Sequence, residues 1–369
     1  MANIEKVDVF RVNLPLCKPM KLASERIQVA QNVLVRLTCS DNVVGWGEAA
    51  SAPTMTGETQ STMYACASEK IAPSIIGQEL ASFDDLRVLE TCIARSVGAN
   101  TAAKAAVIMA LYDLFARQRK VPMWQLFGDL QRNRIPALLI IGDDDEAEEL
   151  KQASTARRMG IGHIKIKVGA NDPLTDARRV AAIRDLCGWD MAISADANMG
   201  WDESQSRVFL ENVVGSKLHY LEQPLGAKDV AGAGRLSHLG LIDIAADEGI
   251  HDLQDVKHNA QVGVRWFGLK LIKLGGYLPL QEAVDFCHST GNRTILACKI
   301  AESSIGASAM AHFSATVPDL ETGVSFTNGY LSQDVVKSPL NIARGLVEVP
   351  PGIGHGAEVD IDAVHALQA

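Results

Sequence analysis

"HIKIKVGA", residues 163–170, sets two lysines two positions apart within a run of β-branched residues. Successive strand side chains point to opposite faces, so Lys165 and Lys167 share one face while Ile164, Ile166 and Val168 take the other. Two readings compete. At the edge of a sheet the lysine face would meet water. Inside a closed barrel it would be buried, and buried ammonium groups are tolerated only beside anions. The rest of the chain decides between them.

Working outward, apolar strands close on charged residues again and again: Lys167, Asp196 in "MAISADAN", Glu222 in "LHYLEQP", Asp247 in "IDIAADE" and Lys270 in "WFGLKLI". The interval is roughly 25 residues, the length of one strand and one crossover helix. Repeated units of this kind build a parallel sheet with right-handed crossovers, and five or more in succession favour closure into a barrel. "RTILACK" and "ETGVSF" supply the last two strands. The expected fold is therefore α/β, a modified TIM-type (β/α) barrel over residues 131–335. Before it, "KVDVFRVNL" and "QNVLVRLTCSDNVVGWGEA" alternate as strands with a turn at Asp41-Asn42. The apolar spacing then lengthens to three and four from Ser61 to about Leu126, as in "NTAAKAAVIMALYDLFARQ". Residues 1–130 thus read as an N-terminal α+β capping domain. The segment 336–369, with strand-like "GLVEVP", is expected to return to that domain.

Composition narrows the function. A chain of 369 residues suits a barrel of roughly 250 residues plus a smaller domain. The net charge of -9, a pI near 5.5 and the lack of a Lys/Arg stripe argue against nucleic acid or an anionic membrane as partner. Seven scattered cysteines, never spaced C-x-x-C, suggest neither a disulfide framework nor a zinc site. With no apolar leader and no apolar run long enough to span a bilayer, the expected location is the cytoplasm.

Residues at the C-terminal ends of barrel strands converge on one face, where active sites of this fold sit. Here Asp196, Glu222 and Asp247 end three consecutive strands. Three carboxylates at one point repel one another unless a cation neutralises them. All-oxygen ligands point to a hard ion, Mg2+ or Mn2+. Asn198 and Glu248 stand next to these acids, placed to orient a carboxylate or a bound water. Lys165 and Lys167 flank the acids on one side and Lys270 on the other, with Lys273 a turn later. Paired ammoniums are expected to lower each other's pKa, which would bring one toward general-base duty. Lysines on opposite sides of a substrate can remove a proton on one face and return it on the other.

The set "KIKVG", "DAN" at 196–198, "EQP" at 222–224, "ADE" at 246–248, "LKLIKLGG" at 269–276 and "GWGEA" at 45–49 resembles the enolase superfamily, and within it the muconate lactonizing enzyme subgroup. The resemblance spans nearly the whole chain. It implies that Asp196, Glu222 and Asp247 bind Mg2+, that Lys167 and Lys270 are the two acid/base groups, and that Lys165 tunes Lys167. The mandelate racemase branch, with its His–Asp pair on the late strands, is not matched. The chemistry implied is abstraction of a proton α to a carboxylate through a metal-stabilised enediolate, in a homo-oligomeric enzyme acting on a small-molecule carboxylate.

The segment "ETGVSFTNGYLSQD", residues 321–334, departs from two patterns of that family. Matched backward from "YLSQD", Val324, Ser325 and Phe326 stand where dipeptide epimerases carry an Asp-x-Asp pair, and Val324 where muconate cycloisomerases carry a Glu. Lys299, Glu302, Ser325 and Phe326 are the candidate substrate-binding residues, with residues 16–28 and 51–59 as a lid. The leading expectation is a racemase, epimerase or dehydratase of a small amino-acid-derived carboxylate, proline-like or N-substituted. A muconate-type cycloisomerase is the alternative within enzymes, and a catalytically silent binding or scaffold barrel the alternative outside them.

Overall fold

The computed structural model describes residues 3–21, 26–142 and 145–369. Strands β1 (Ile4–Lys21), β2 (Arg26–Cys39) and β3 (Val44–Ala50) form an antiparallel sheet in chain order, with Val9 opposite Val35 and Val35 opposite Gly47. Val12, Leu14, Val33, Val35 and Leu37 are buried. Asn42 turns the β2–β3 hairpin at φ 61°, a left-handed conformation that asparagine tolerates. The helix Thr101–Gln118 lies across the sheet so closely that a Cβ on Gly47 would stand 2.1 Å from the Ala106 carbonyl oxygen, and one on Gly45 2.4 Å from that of Ala110. The glycines of "GWGEA" are there to admit this helix.

Eight parallel strands follow: Leu138–Ile141, His163–Lys167, Ala192–Asp196, Leu221–Glu222, Ile244–Ala246, Trp266–Leu269, Arg293–Ala297 and Val324–Ser325. Each pairs with its neighbour in sequence, and a bridge from Ala137 to Val324 joins the last to the first. This is the (β/α) barrel that the strand rhythm predicts. Residues paired in a parallel ladder point the same way, so the register identifies the inner face: Lys165 opposite Ser194, Lys167 opposite Asp196, Asp196 opposite Glu222, Glu222 opposite Ala245 and Ala245 opposite Trp266. Deep in that interior Tyr220, Ala245, Trp266 and Ile295 form an apolar plug, separate from the large core between strands and helices. Above the plug the inner face becomes ionic.

The C-terminal segment pairs first with the entrance to the barrel, Leu346–Glu348 against Arg134–Pro136, and ends on the capping sheet, where Ala369 N donates to Arg11 O at 2.9 Å. Buried acids of the cap dock onto the barrel. Glu48 of β3 accepts from Ser303 N (2.9 and 3.0 Å), Ser303 Oγ (2.7 Å), Gly306 N (3.0 Å) and Asn32 Nδ2 (2.7 Å). It thereby caps the helix Ser304–Ser314, whose first N–H groups need such a partner. Glu90 does the same for Tyr277–Ser289, accepting from Leu278 N at 2.8 Å.

Candidate active site

The second strand brings Lys165 and Lys167 inward, as an edge strand would not. Lys165 Nζ donates to both oxygens of Glu222 at 2.9 Å and lies 3.6 Å from Asp196 Oδ2. Lys167 Nζ donates to Asp196 Oδ2 at 2.5 Å and to Asn198 Oδ1 at 2.7 Å. Across the barrel, Lys270 donates to Asp247 Oδ2. Asn198 in turn gives its Nδ2 to Glu248 Oε1 at 2.9 Å, so the two residues set beside the acids are bonded to each other. Asp196, Glu222 and Asp247 are all at most 2% exposed.

Charge and burial contend here. Burial pushes the Glu222 carboxyl up, Asp196 pushes it further, and it comes to rest at about 7 despite Lys165. For Asp247, burial is outweighed by Lys270 and Lys273, which hold the carboxyl well below its ordinary range. Asp196 is likewise held low by Lys167 and Lys165 against burial. The depression expected at Lys165 is not what the structure shows. Burial does press Lys165 down, but Glu222 and Asp196 lie close enough to reverse it and hold the ammonium well above its usual value. Lys270 is raised in the same way by Asp247.

These residues fit a divalent cation by the chemistry of their donors. Three carboxylates on adjacent strands share one face, and Glu222 is held toward its neutral form by burial and then by the very anions a cation would screen. The buried Oε2 of Glu248 has no hydrogen-bond partner, a polar atom facing the same group of acids. Among the described residues no three acid, His or Cys side chains close into a ready cage, because each acid leans on a lysine instead.

Comparison with known proteins gives the family. Residues 4–128 match the mandelate racemase/muconate lactonizing enzyme N-terminal domain, and residues 148–364 the enolase C-terminal domain-like model. The chain belongs to this family. It is 29% identical to a chloromuconate cycloisomerase of Cupriavidus pinatubonensis over 98% of both chains. It is 27% identical to the L-Ala-D/L-Glu epimerase of Bacillus subtilis over 95% of this chain and 96% of that one. The crystal structure of a muconate lactonizing enzyme from Pseudomonas fluorescens complexed with muconolactone superposes with a TM-score of 0.95, covering both chains fully at 25% identity. The protein is thus an enzyme of the enolase superfamily, muconate lactonizing enzyme subgroup, whose members typically use a divalent metal ion. The silent-barrel alternative gives way to this.

A cavity of about 360 Å³ opens beside Lys167, walled by Met20 of β1, Leu139, Ile140, Gln152 and Tyr330. Lys18 of β1 closes its rim by pairing with Glu148 at 2.7 Å. Of the first lid segment, residues 22–25 lie outside the described residues. The second, residues 51–59, is pinned within the cap: Glu58 accepts from Ala102 N (2.8 Å) and Ala103 N (3.0 Å).

The substrate-reading segment requires a correction. Ala297 pairs with Ser325 and Leu296 with Val324, so Ser325 points inward with Ala297 while Val324 faces outward. Phe326, on Val324's side of the alternation, is 2% exposed and packed in the core between strands and helices. It does not offer a ring to the site. Of the two candidates on this segment, Ser325 is the inward one. Ser325 Oγ is buried without a hydrogen-bond partner, and Thr327 Oγ1 donates to Lys299 O at 2.7 Å. Lys299 lies two residues past the end of the seventh strand and is buried, with its charge near Glu302. Glu302 is not brought to the cavity. Its carboxyl lies against Gly306, and burial followed by the charge of Glu48 raises it to about 8. Sequence reasoning passed over Gln223, whose Oε1 accepts from Asp247 N (2.9 Å) and Gly249 N (3.1 Å), and Tyr330 on the cavity wall. In "EQP" nothing in the sequence marks the Gln as a brace.

Proposed function

We propose that the protein racemises, epimerises or dehydrates a small amino-acid-derived carboxylate, proline-like or N-substituted, by moving a proton at its α-carbon. The observation that carries this reading is the placement of Lys167 and Lys270 at the ends of the second strand and just past the sixth, on either side of Asp196, Glu222 and Asp247. A Mg2+ ion held by those three acids would supply positive charge to the substrate carboxylate and so acidify the neighbouring C–H bond. Lys165, bound to Glu222, keeps its charge beside that carboxylate. A neutral amine at one of the flanking positions takes the α-proton, and the ammonium opposite delivers one to the other face. If the substrate carries a β-hydroxyl, that ammonium protonates the departing oxygen instead, and water leaves.

The inner face of the eighth strand supports the choice of substrate. A free primary ammonium calls for anions, and Ser325 supplies none. A ring nitrogen or substituted amine against apolar Leu139, Ile140 and Met20 suits the cavity better. Seven cysteines, none in a disulfide, suit a reducing cytoplasm.

One observation favours a second reading. Lys299 adds a buried cation just past the seventh strand, which would suit a second carboxylate, as in a muconate. Incubation with a carboxylate panel in deuterated water separates the two. α-Deuterium uptake or water loss is expected with cyclic and N-substituted amino acids, at a kcat/KM well above that for cis,cis-muconate. Lys167→Ala and Lys270→Ala should each stop turnover while retaining exchange of opposite enantiomers. Lactonisation of muconate with no amino acid exchanged would replace the first reading by the second.

A further inference from the structure

We infer that Lys273 is a positioning residue that grips Asp247 and leaves its carboxylate a single oxygen for a cation. The inference rests on the reading of Asp196, Glu222 and Asp247 as metal ligands and extends it. Lys273 closes the short helical turn Leu271–Leu274 after the sixth strand and is fully buried. Its ammonium has three N–H bonds and three acceptors: Asp247 Oδ1 at 2.6 Å, the main-chain oxygen of Asp247, and Gly268 O at 2.8 Å. With every N–H committed and no exposed surface, Lys273 has nothing to offer a substrate. Its neighbour Lys270 differs in touching the other carboxylate oxygen, Oδ2, from the side of the site.

Two further observations show that the grip is built into the fold. A Cβ at Gly268 would stand 2.6 Å from Asp247 Oδ1, so the sixth strand is hollowed where the carboxylate and the ammonium meet. The backbone N–H of Asp247 is also taken, by Gln223 Oε1 at 2.9 Å. Asp247 is therefore fixed at its N–H, its carbonyl and Oδ1, and only Oδ2 remains, turned to Lys270. A buried ammonium is costly, and an apolar chain of the same length would fill the space without that cost. What an apolar chain could not do is hold the rotamer of an anion whose neighbours repel it. Groups that orient a ligand in this way commonly govern metal affinity by 10- to 100-fold.

The test is binding of Mn2+ to the full chain without substrate, read from the electron paramagnetic resonance of the free ion, with circular dichroism and thermal unfolding alongside. Lys273→Met removes the grip, and Gly268→Ala displaces Oδ1 while keeping the lysine. In both, the Mn2+ dissociation constant should rise at least tenfold. A folded Lys273→Met protein that binds Mn2+ within twofold of the unaltered chain would overturn the inference. If that variant does not fold, unchanged affinity in Gly268→Ala does the same. Asp196→Asn separates this failure from that of the underlying reading: if the unaltered chain takes up no Mn2+, or Asp196→Asn leaves uptake unchanged, the metal site itself is refuted and the role of Lys273 with it.

Discussion

Removing the Glu48 carboxylate should loosen the joint between cap and barrel by an amount the structure allows to be worked out. Glu48 is fully buried and serves Ser303 N, Ser303 Oγ, Gly306 N and Asn32 Nδ2. In Glu48→Ala these buried donors lose their acceptor together. At about 1 kcal/mol for each donor left unpaired, the low end of the usual range, the loss is about 4 kcal/mol. Unfolding entropy of about 2.1 cal/mol/K per residue over 369 residues comes to about 0.8 kcal/mol/K, so Tm should fall by about 5 °C. Glu48→Gln keeps the shape but turns an N–H2 toward donors, and it should cost at least half as much. Differential scanning calorimetry at fixed pH reads both variants. If Gln leaves Tm within 1 °C while Ala lowers it, packing volume and not the acceptor holds the joint, and the reasoning fails.

Two further outcomes follow from the site and the barrel interior. Glu222→Gln should weaken Mg2+ binding at least tenfold by calorimetry, and chelation should abolish turnover until Mg2+ is restored; full activity of metal-stripped protein would contradict the assigned ligands. His163, hydrogen-bonded to Ser194 Oγ at 3.0 Å, is held at about 3 by burial and then by the charges of His219 and Lys165. The unfolded chain protonates this ring near pH 6.5 and the folded one only near 3. The unfolded state therefore binds more protons across that window, and stability falls as the pH falls, by about 1.4 kcal/mol per pH unit from this residue. His312, also held at about 3 by burial, adds a similar slope. His163→Leu should thus reduce, but not abolish, the loss of Tm between pH 6.5 and 4.5; an unchanged slope would show that the ring is not neutral in the fold.

What could be read from the sequence was what repeats or carries charge. Strand ends at Lys167, Asp196, Glu222, Asp247 and Lys270 recur at a regular interval, and a closed barrel has one place to put them. The Lys165–Lys167 spacing fixed the inner face because strand alternation leaves no third choice. Magnitudes of charge were less legible. The depression expected of neighbouring ammoniums depends on distance to anions, and only the folded chain shows Glu222 at 2.9 Å from Lys165. Lys273 looks like one more helix lysine in "LKLIKLGG", and its burial follows from the turn that folds it back on Asp247, a contact 26 residues away in sequence.

The eighth strand shows why pattern matching fails where function is most particular. Only Val324 and Ser325 pair in the ladder, and a strand that short carries no alternation long enough to fix its phase. A one-residue slip exchanges every inward side chain for an outward one. Of the candidates Ser325 and Phe326, the pairing of Ser325 with Ala297 keeps Ser325 at the site and turns Phe326, with Val324, away from it. That pairing preserves the conclusion that no anion faces the substrate from this strand, and it alters the chemistry in its place. An aromatic ring would hold a cation by its face. A buried hydroxyl with an unfilled hydrogen bond, such as Ser325 Oγ, favours a substrate that brings a polar group of its own to that wall. A hydroxylated or N-acylated cyclic amino acid meets that demand and an unadorned hydrocarbon ring does not, so among N-substituted substrates those with a distal donor or acceptor should show the higher kcat/KM, and Ser325→Ala should erase that preference.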